Sequence, residues 1–196
     1  MSSTPIYGLV LSGGKSKRMG QDKALLERDG QSQLAFMMSL LEPLVERLFV
    51  STREEQKDEA ERRQFAQIID RYDEMGPLAG ILSAMDAYPD VDWLVVACDL
   101  PNIRVETIRH LLANRSADHP FTAYVSSHDR LPEPLCAIYR CGSADTIRTL
   151  SKDGAHCPRK ILIRADTCLI EQLDPASLDN INTPDDLADS ILKAAS

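Results

Sequence analysis

Lys15, Lys17, Arg18 and Lys23 place four cations within nine residues of a chain whose formal net charge is −8. The first three are threaded through a glycine-rich run from Gly13-Gly14 to Gly20, and Lys23 follows it; the run comes just after the short apolar segment Tyr7 to Leu11. Glycine lets the backbone turn sharply and lay its N–H groups against an anion, and the cations add enough charge to hold a triphosphate. A strand running into a basic glycine loop therefore reads as a phosphate cradle. Spacing excludes two better-known cradles. Gly14 and Gly20 stand as in the nucleoside-triphosphatase loop, but Gln21 and Asp22 occupy the places of its lysine and its serine or threonine. The dinucleotide fingerprint Gly-x-Gly-x-x-Gly is absent.

Two carboxylates are the next candidates. Gln67-Ile68-Ile69-Asp70 reads as a strand ending in an acid, and the continuous apolar run Trp93 to Ala97 leads into Cys98-Asp99-Leu100-Pro101. Ligands of open α/β sheets gather at the carboxyl ends of the strands, so both acids are site candidates. A carboxylate at the tip of a buried strand is costly unless it meets a cation or donors. Magnesium shared between Asp99 and a triphosphate would meet that need, since Mg²⁺ takes one or two carboxylates plus phosphate oxygens and water. The competing reading is that Asp99 caps a helix starting near Val105. Gly76-Pro77 opens an apolar helix whose N–H groups could face a nucleotide, or whose Gly80 could serve close packing alone. The four histidines lie near no nucleophile in sequence, and the five cysteines form no zinc-ligand spacing and read as reduced, mostly core thiols.

Positioning these groups requires strand ends to converge. Further strands are expected at Leu48 to Val50, Phe121 to Val125, Leu131 to Tyr139 and Thr167 to Leu173, and the apolar run of Trp93 to Ala97 suits a central strand covered on both faces. Ser32 caps a helix with apolar positions Leu34, Met37, Met38, Leu41, Leu44 and Val45, which Pro43 kinks or ends. A charged helix after Ser51-Thr52-Arg53, through about Gln64, is expected as an exposed flank. Helices follow at Val105 to Asn114, Ala144 to Ser151 and Pro158 to Ile163. Pro134 argues against a fully paired central strand there. The polar loop Ser126 to Arg130 and the strand after it are expected to bound a second substrate, with Arg159 and Lys160 as candidate contacts for its anionic group. Thr183, Pro184, Asp185 and Asp186 form a strong helix start.

At 196 residues the chain suits one domain, spanning 1–196. With 43% hydrophobic and 27% charged residues and no long apolar run, it reads as a soluble globular protein with no membrane association. A pI near 5.0 argues against general nucleic-acid binding. No basic segment leads an apolar stretch at the amino terminus, so a cytoplasmic location is expected.

The run Leu11-Ser12-Gly13-Gly14-x-Ser16-x-Arg18-Met19-Gly20-x-Asp22-Lys23 resembles the signature loop of nucleotidyltransferases with a Rossmann-like sugar-nucleotide fold. Within that group it is most similar to the molybdenum cofactor guanylyltransferases. Gly76 to Gly80, Cys98 to Pro101, Glu133-Pro134-Leu135 and Asn180 to Leu187 continue the likeness in order along the chain. The resemblance implies an α/β three-layer sandwich around a central, mostly parallel sheet. It implies transfer of GMP from GTP to the phosphate of Mo-molybdopterin, with release of pyrophosphate and with Mg²⁺ as cofactor. Leu11, Ser12, Gly13 and Gly14 would meet the nucleotide together with Lys23 and Asp70, Asp99 would also ligate magnesium, and Lys23, Arg18 and Asp99 would carry catalysis. Transient contact with molybdoenzymes or cofactor-insertion proteins is a further expectation. Two departures stand out. Ser12 replaces the family's usual alanine, where a backbone contact is expected to be little changed, and Ser51 stands where many relatives place an asparagine. Gly13-Gly14 favours guanine over cytosine, against related cytidylyltransferases with Leu-Ala-Ala-Gly. Cytidylyl transfer to molybdopterin, transfer to a sugar or polyol phosphate, and a non-catalytic nucleotide- or cofactor-binding delivery subunit are the alternatives.

Overall fold

A computed structural model of the chain describes residues 4–13 and 22–180. In chain order its strands are β1 (Ile6–Leu11), β2 (Glu27–Arg28), β3 (Gln31–Ser32), β4 (Arg47–Thr52), β5 (Gln67–Ile69), β6 (Asp92–Ala97), β7 (Phe121–Val125), β8 (Pro132–Tyr139) and β9 (Thr167–Ile170). The helices are α1 (Gln33–Leu41), α2 (Pro77–Ala87), α3 (Val105–Ala113), α4 (Ala144–Lys152) and α5 (Pro158–Arg164). Seven strands form one sheet in the order β5-β4-β1-β6-β8-β7-β9, and β2 with β3 makes a small separate hairpin. The sheet is mostly parallel; β8 runs against both β6 and β7.

The three layers follow from alternation along the strands. On β6, Trp93 and Val95 point to one face, where they meet Leu78, Ile81, Leu82 and Met85 of α2, Ile147 of α4 and Ile161 of α5. Leu94 and Val96 point to the other, among Leu34, Met37 and Leu41 of α1 and Ile108 and Leu111 of α3. Every residue of β6 is buried, which is why that strand shows no polar alternation. The core therefore sits on both sides of β6, and the strand ends emerge from it together.

Most expected elements are in place. Ser32 caps α1, its hydroxyl accepting from the Ala35 N–H at 3.0 Å, and a single turn through Pro43 (Glu42–Leu44) ends the helix. Three expectations are corrected. The segment after Arg53 is not a helix but two short turns, Glu54–Gln56 and Arg62–Gln64. It lacks an apolar stripe to hold a helix against the sheet, and it is not simply an exposed flank, because Arg62 is fully buried. Second, β8 is an interior strand despite its prolines. The conflict resolves locally: β6 pairs only with Cys136–Tyr139, so Pro132 and Pro134 lie past β6; Pro132 pairs with β7 alone, and Pro134 falls within the irregularity between Ala123 and Tyr124. Third, the thiols are free but not mostly core. Cys98 and Cys136 are buried, Cys141 and Cys168 half-buried, and Cys157 exposed. The loop residues Gly14, Lys15, Lys17, Arg18 and Gly20, and the helix start at Thr183-Pro184, lie outside the described residues.

Candidate nucleotide site

From β1 the chain goes first to β4 and β5 on one side, then to β6 on the other. Such a reversal leaves a crevice at the carboxyl ends of the flanking strands. A cavity of about 630 Å³ opens there. Leu11, Ser12 and Gly13 line it from the end of β1, Ser51 and Arg53 from β4, Asp70 from β5, and Ala97, Cys98 and Asp99 from β6. Backbone bonds knit these ends together: the Cys98 N–H donates to the Leu11 carbonyl at 3.1 Å and the Ser12 N–H to the Ser51 carbonyl at 3.4 Å. Asp22 and Lys23 complete the mouth, with Gly76, Pro77, Ala79 and Gly80 of α2 along one wall. The expected site residues Leu11, Ser12, Gly13, Lys23, Asp70 and Asp99 are thus brought to one crevice, while Gly14 and Arg18 fall outside the described residues.

Lys23 and Asp99 face each other across the crevice, Nζ to Oδ2 at 3.1 Å. Asp22 sets the lysine's position: its Oδ1 accepts from the Ala24 N–H at 3.0 Å and caps the turn Lys23–Leu25. The helix-cap reading of Asp99 does not hold, since Arg104 stands at the start of α3 and no side chain caps it. Asp99 Oδ1 is buried and has no hydrogen-bond partner among the described residues. An orphaned carboxylate oxygen at the head of an anion-sized cavity is what a hard cation would satisfy. Among the described residues no three acidic, cysteine or histidine side chains gather to hold a metal by themselves. A single carboxylate suits magnesium that draws its remaining ligands from phosphate and water.

Deeper in the crevice, Ser51 donates to Asp70 Oδ1 at 2.7 Å. The serine thus orients the strand-end acid. Burial raises the Asp70 carboxyl above its ordinary value, against the lowering effects of the Ser51 hydroxyl and the Arg53 charge. The native state therefore binds this proton more tightly than the unfolded chain does. Ionisation of Asp70 costs native stability as pH rises from the ordinary 3.8 through the raised native value, and the cost persists above it. Asp70→Asn should accordingly melt about 1–4 °C above the wild type at pH 7 and show no such gain at pH 3, measured by thermal unfolding at the two pH values.

Gly80 explains how α2 approaches this pair. A methyl group built on it would stand 2.2 Å from Ser51 Oγ and 3.1 Å from Asp70 Oδ1. The amides of Leu78 and Ala79 close turns onto the Met75 and Gly76 carbonyls, so close packing rather than amide donation describes this helix start. Gly80→Ala must displace α2 or rotate Ser51 off Asp70. The expected result is a loss of about 1–3 kcal/mol in chemical denaturation together with weaker nucleotide binding.

A second, smaller cavity of about 320 Å³ adjoins the first and shares Pro77 and Leu135 with it. Its wall is largely apolar, with Leu100, Pro134 and Leu178, and its rim carries Glu133, His156, Arg159 and Asn180. Arg159, expected as an anion contact, is engaged by Asp129 and Glu133 at 2.9 Å each. Lys160 is exposed and does not line either cavity. No histidine lines the larger cavity among its described residues. Sequence reasoning missed Arg53, Asp22 as a cap, and above all Arg62; no local signal marks a buried arginine within a charged segment.

Residues 8–168 match the MobA-like NTP transferase domain. The chain belongs to that family. The chain is 31% identical over 185 residues to a molybdenum cofactor guanylyltransferase of Pseudomonas fluorescens, covering 93% of this chain and 92% of that protein. It is 39% identical to a molybdenum cofactor biosynthesis bifunctional protein of Synechocystis, over 95% of this chain but only 54% of that longer protein, so it spans about half of that relative. The crystal structure of molybdopterin-guanine dinucleotide biosynthesis protein A from Archaeoglobus fulgidus superposes with a TM-score of 0.76 at 25% identity, covering 93% of this chain and 95% of that one. As a MobA-like transferase, the chain is a nucleotidyltransferase, and its mostly parallel sheet flanked by helices is the fold of these neighbours. No helix among the described residues is long and apolar enough to cross a membrane.

Proposed function

We propose that this chain, acting as one nucleotidyltransferase unit in the cytoplasm, transfers GMP from GTP to the phosphate of Mo-molybdopterin and releases pyrophosphate. The observation that carries the reading is the Lys23–Asp99 pair, with its orphaned carboxylate oxygen, at the mouth of a crevice built from four strand ends. The names of the relatives supply the acceptor class.

The reaction brings two anions together: an acceptor phosphate oxygen attacks the α-phosphorus of the triphosphate, and the bond to the β-phosphate oxygen breaks. Such chemistry depends on charge neutralisation and alignment, and the ionised acceptor needs no general base. The absence of histidine from the described lining agrees with that. Lys23 would offset charge on the phosphates, with Arg18 beside it in sequence. Asp99 would hold magnesium, whose chemistry there is Lewis-acid neutralisation of the triphosphate. Leu11, Ser12, Gly13 and Gly14 would seat the nucleotide through backbone groups, and Asp70, oriented by Ser51, would accept hydrogen bonds from it. The adjoining apolar cavity would take the acceptor, a reading supported by its continuity with the first through Pro77 and Leu135.

The test is pyrophosphate release with magnesium from GTP, CTP and ATP, each with and without molybdopterin-loaded acceptor. Product from GTP with acceptor alone is the expected result. A preference for CTP would overturn the base assignment, and no turnover with any nucleotide would overturn catalysis.

A further inference from the structure

Among the described residues Arg62 is the largest fully buried charged side chain, and two of the residues it grips, Ser12 and Asp22, lie 50 and 40 positions away in sequence. Its Nη2 donates to the Ser12 carbonyl at 2.7 Å and to Asp22 Oδ2 at 2.8 Å, and its Nε to Ser12 Oγ at 3.1 Å. Nη1 faces Glu59. Ser12 is where the chain enters the glycine loop and Asp22 is where it leaves it. We propose that Arg62 is a positioning residue that clamps the two stems of the glycine loop together and thereby sets the place of Lys23 opposite Asp99.

The contacts form a continuous chain from the arginine to the reacting groups. Asp22 uses one carboxylate oxygen on Arg62 and the other on the Ala24 N–H, so the orientation of that carboxylate fixes the turn Lys23–Leu25. On the entering side the Ser12 hydroxyl, which accepts from Arg62 Nε, donates onward to the Ser51 carbonyl at 3.0 Å. Ser12 therefore does more than a backbone contact requires: the hydroxyl that distinguishes it from alanine is itself a partner of the clamp. Asp22 Oδ2 also accepts from Gln56 Nε2 at 3.4 Å, and Glu59 is the second carboxylate facing the guanidinium among the described residues.

An arginine whose charge is met by two carboxylates has little field left for phosphate, so its use here is geometric. A planar fork with donors in fixed directions can hold a carbonyl, a hydroxyl and a carboxylate in one arrangement, which a lysine ammonium on a flexible stem does not reproduce. Displacement of a phosphate-contacting group by about 1 Å can cost roughly 10²-fold in rate, so a loosened stem should register in catalysis as well as in local order.

The kinetic consequence rests on the nucleotidyl-transfer reading above; the effect on the stems does not, and the experiment separates the two. Arg62→Gln and Arg62→Lys would be compared with the wild type by amide hydrogen exchange and by steady-state pyrophosphate release, both well below the melting temperature. For Arg62→Gln we expect faster exchange at Ser12, Ala24 and Leu25 with Val95 and Val96 of β6 unchanged, and kcat/KM for the nucleotide lowered roughly 10²-fold. Arg62→Lys should recover melting temperature but not stem protection. Asp22→Asn, which loosens the same clamp from its other end, should likewise speed exchange at Ser12, Ala24 and Leu25, and the double variant should lose less than the product of the two single effects. If Arg62→Gln fails to fold, Asp22→Asn alone carries the exchange test. Unchanged exchange at both stems, or a drop in melting temperature with kcat/KM intact, overturns the clamp. Stem exchange that rises as expected in a protein that turns over no nucleotide keeps the clamp and overturns the transfer reading instead.

Discussion

Asp99→Asn is expected to lower kcat for nucleotidyl transfer by about 10³-fold while moving the melting temperature by no more than about 3 °C. The substitution keeps the side chain's size and one carbonyl oxygen, so the packing of the turn after β6 is retained. What it removes is the negative charge that both Lys23 and a divalent cation would use. The Lys23–Asp99 pair is only partly buried, with side chains 20% and 23% exposed, and pairs so open to solvent contribute little to stability. The loss should thus be catalytic rather than structural. The check is a magnesium titration of pyrophosphate release alongside a thermal melt: the variant should require far more magnesium for whatever rate remains. Turnover near the wild-type level would remove Asp99 from the mechanism.

Lys23→Ala is the second large effect, and its signature differs. The ammonium would meet the phosphates in the bound state and again as charge shifts to the departing pyrophosphate, so both KM and kcat should suffer, kcat/KM falling by about 10²–10³-fold. Steady-state kinetics over a range of GTP concentration measures the split. The double variant with Asp99→Asn should fall short of the product of the single effects, because the two side chains bond each other and would serve the same phosphates. Full additivity would mean that they act at separate places.

What could be read from the chain beforehand was what local chemistry dictates. The unbroken apolar run of β6 announced a strand covered on both faces, and an acid placed directly after it had to sit at a strand end. Glycine within the apolar helix α2 signalled a close approach, though not to which partner; that Ser51 and Asp70 are the neighbours depends on how β4 and β5 pair. Arg62 was hidden for the opposite reason. Its segment looks like solvated surface, and its burial is decided by Ser12 and Asp22, 50 and 40 residues away. The reversed direction of β8 was likewise unreadable, since strand direction is set by the route of the chain between elements rather than by composition. The prolines of β8 argued against a central strand, yet the strand is interior, because its proline-bearing end lies beyond β6.

Trp93 gives the fold its own optical gauge. It is the sole tryptophan, fully buried at the amino end of β6, whereas Asp99 follows the carboxyl end of that strand. Its ring lies 5.8 Å from those of Tyr7 and Phe49 and 6.2 Å from that of Tyr88. Fluorescence from so dry a position should be blue in the native protein, sensitised by light absorbed at the adjacent tyrosines, and should redden when the sheet's centre opens to water. Ligands entering the crevice at the far end of the strand would leave that colour unchanged. Emission from this one indole can therefore report, in the same cuvette as an activity assay, whether a silent variant has lost its chemistry or its core.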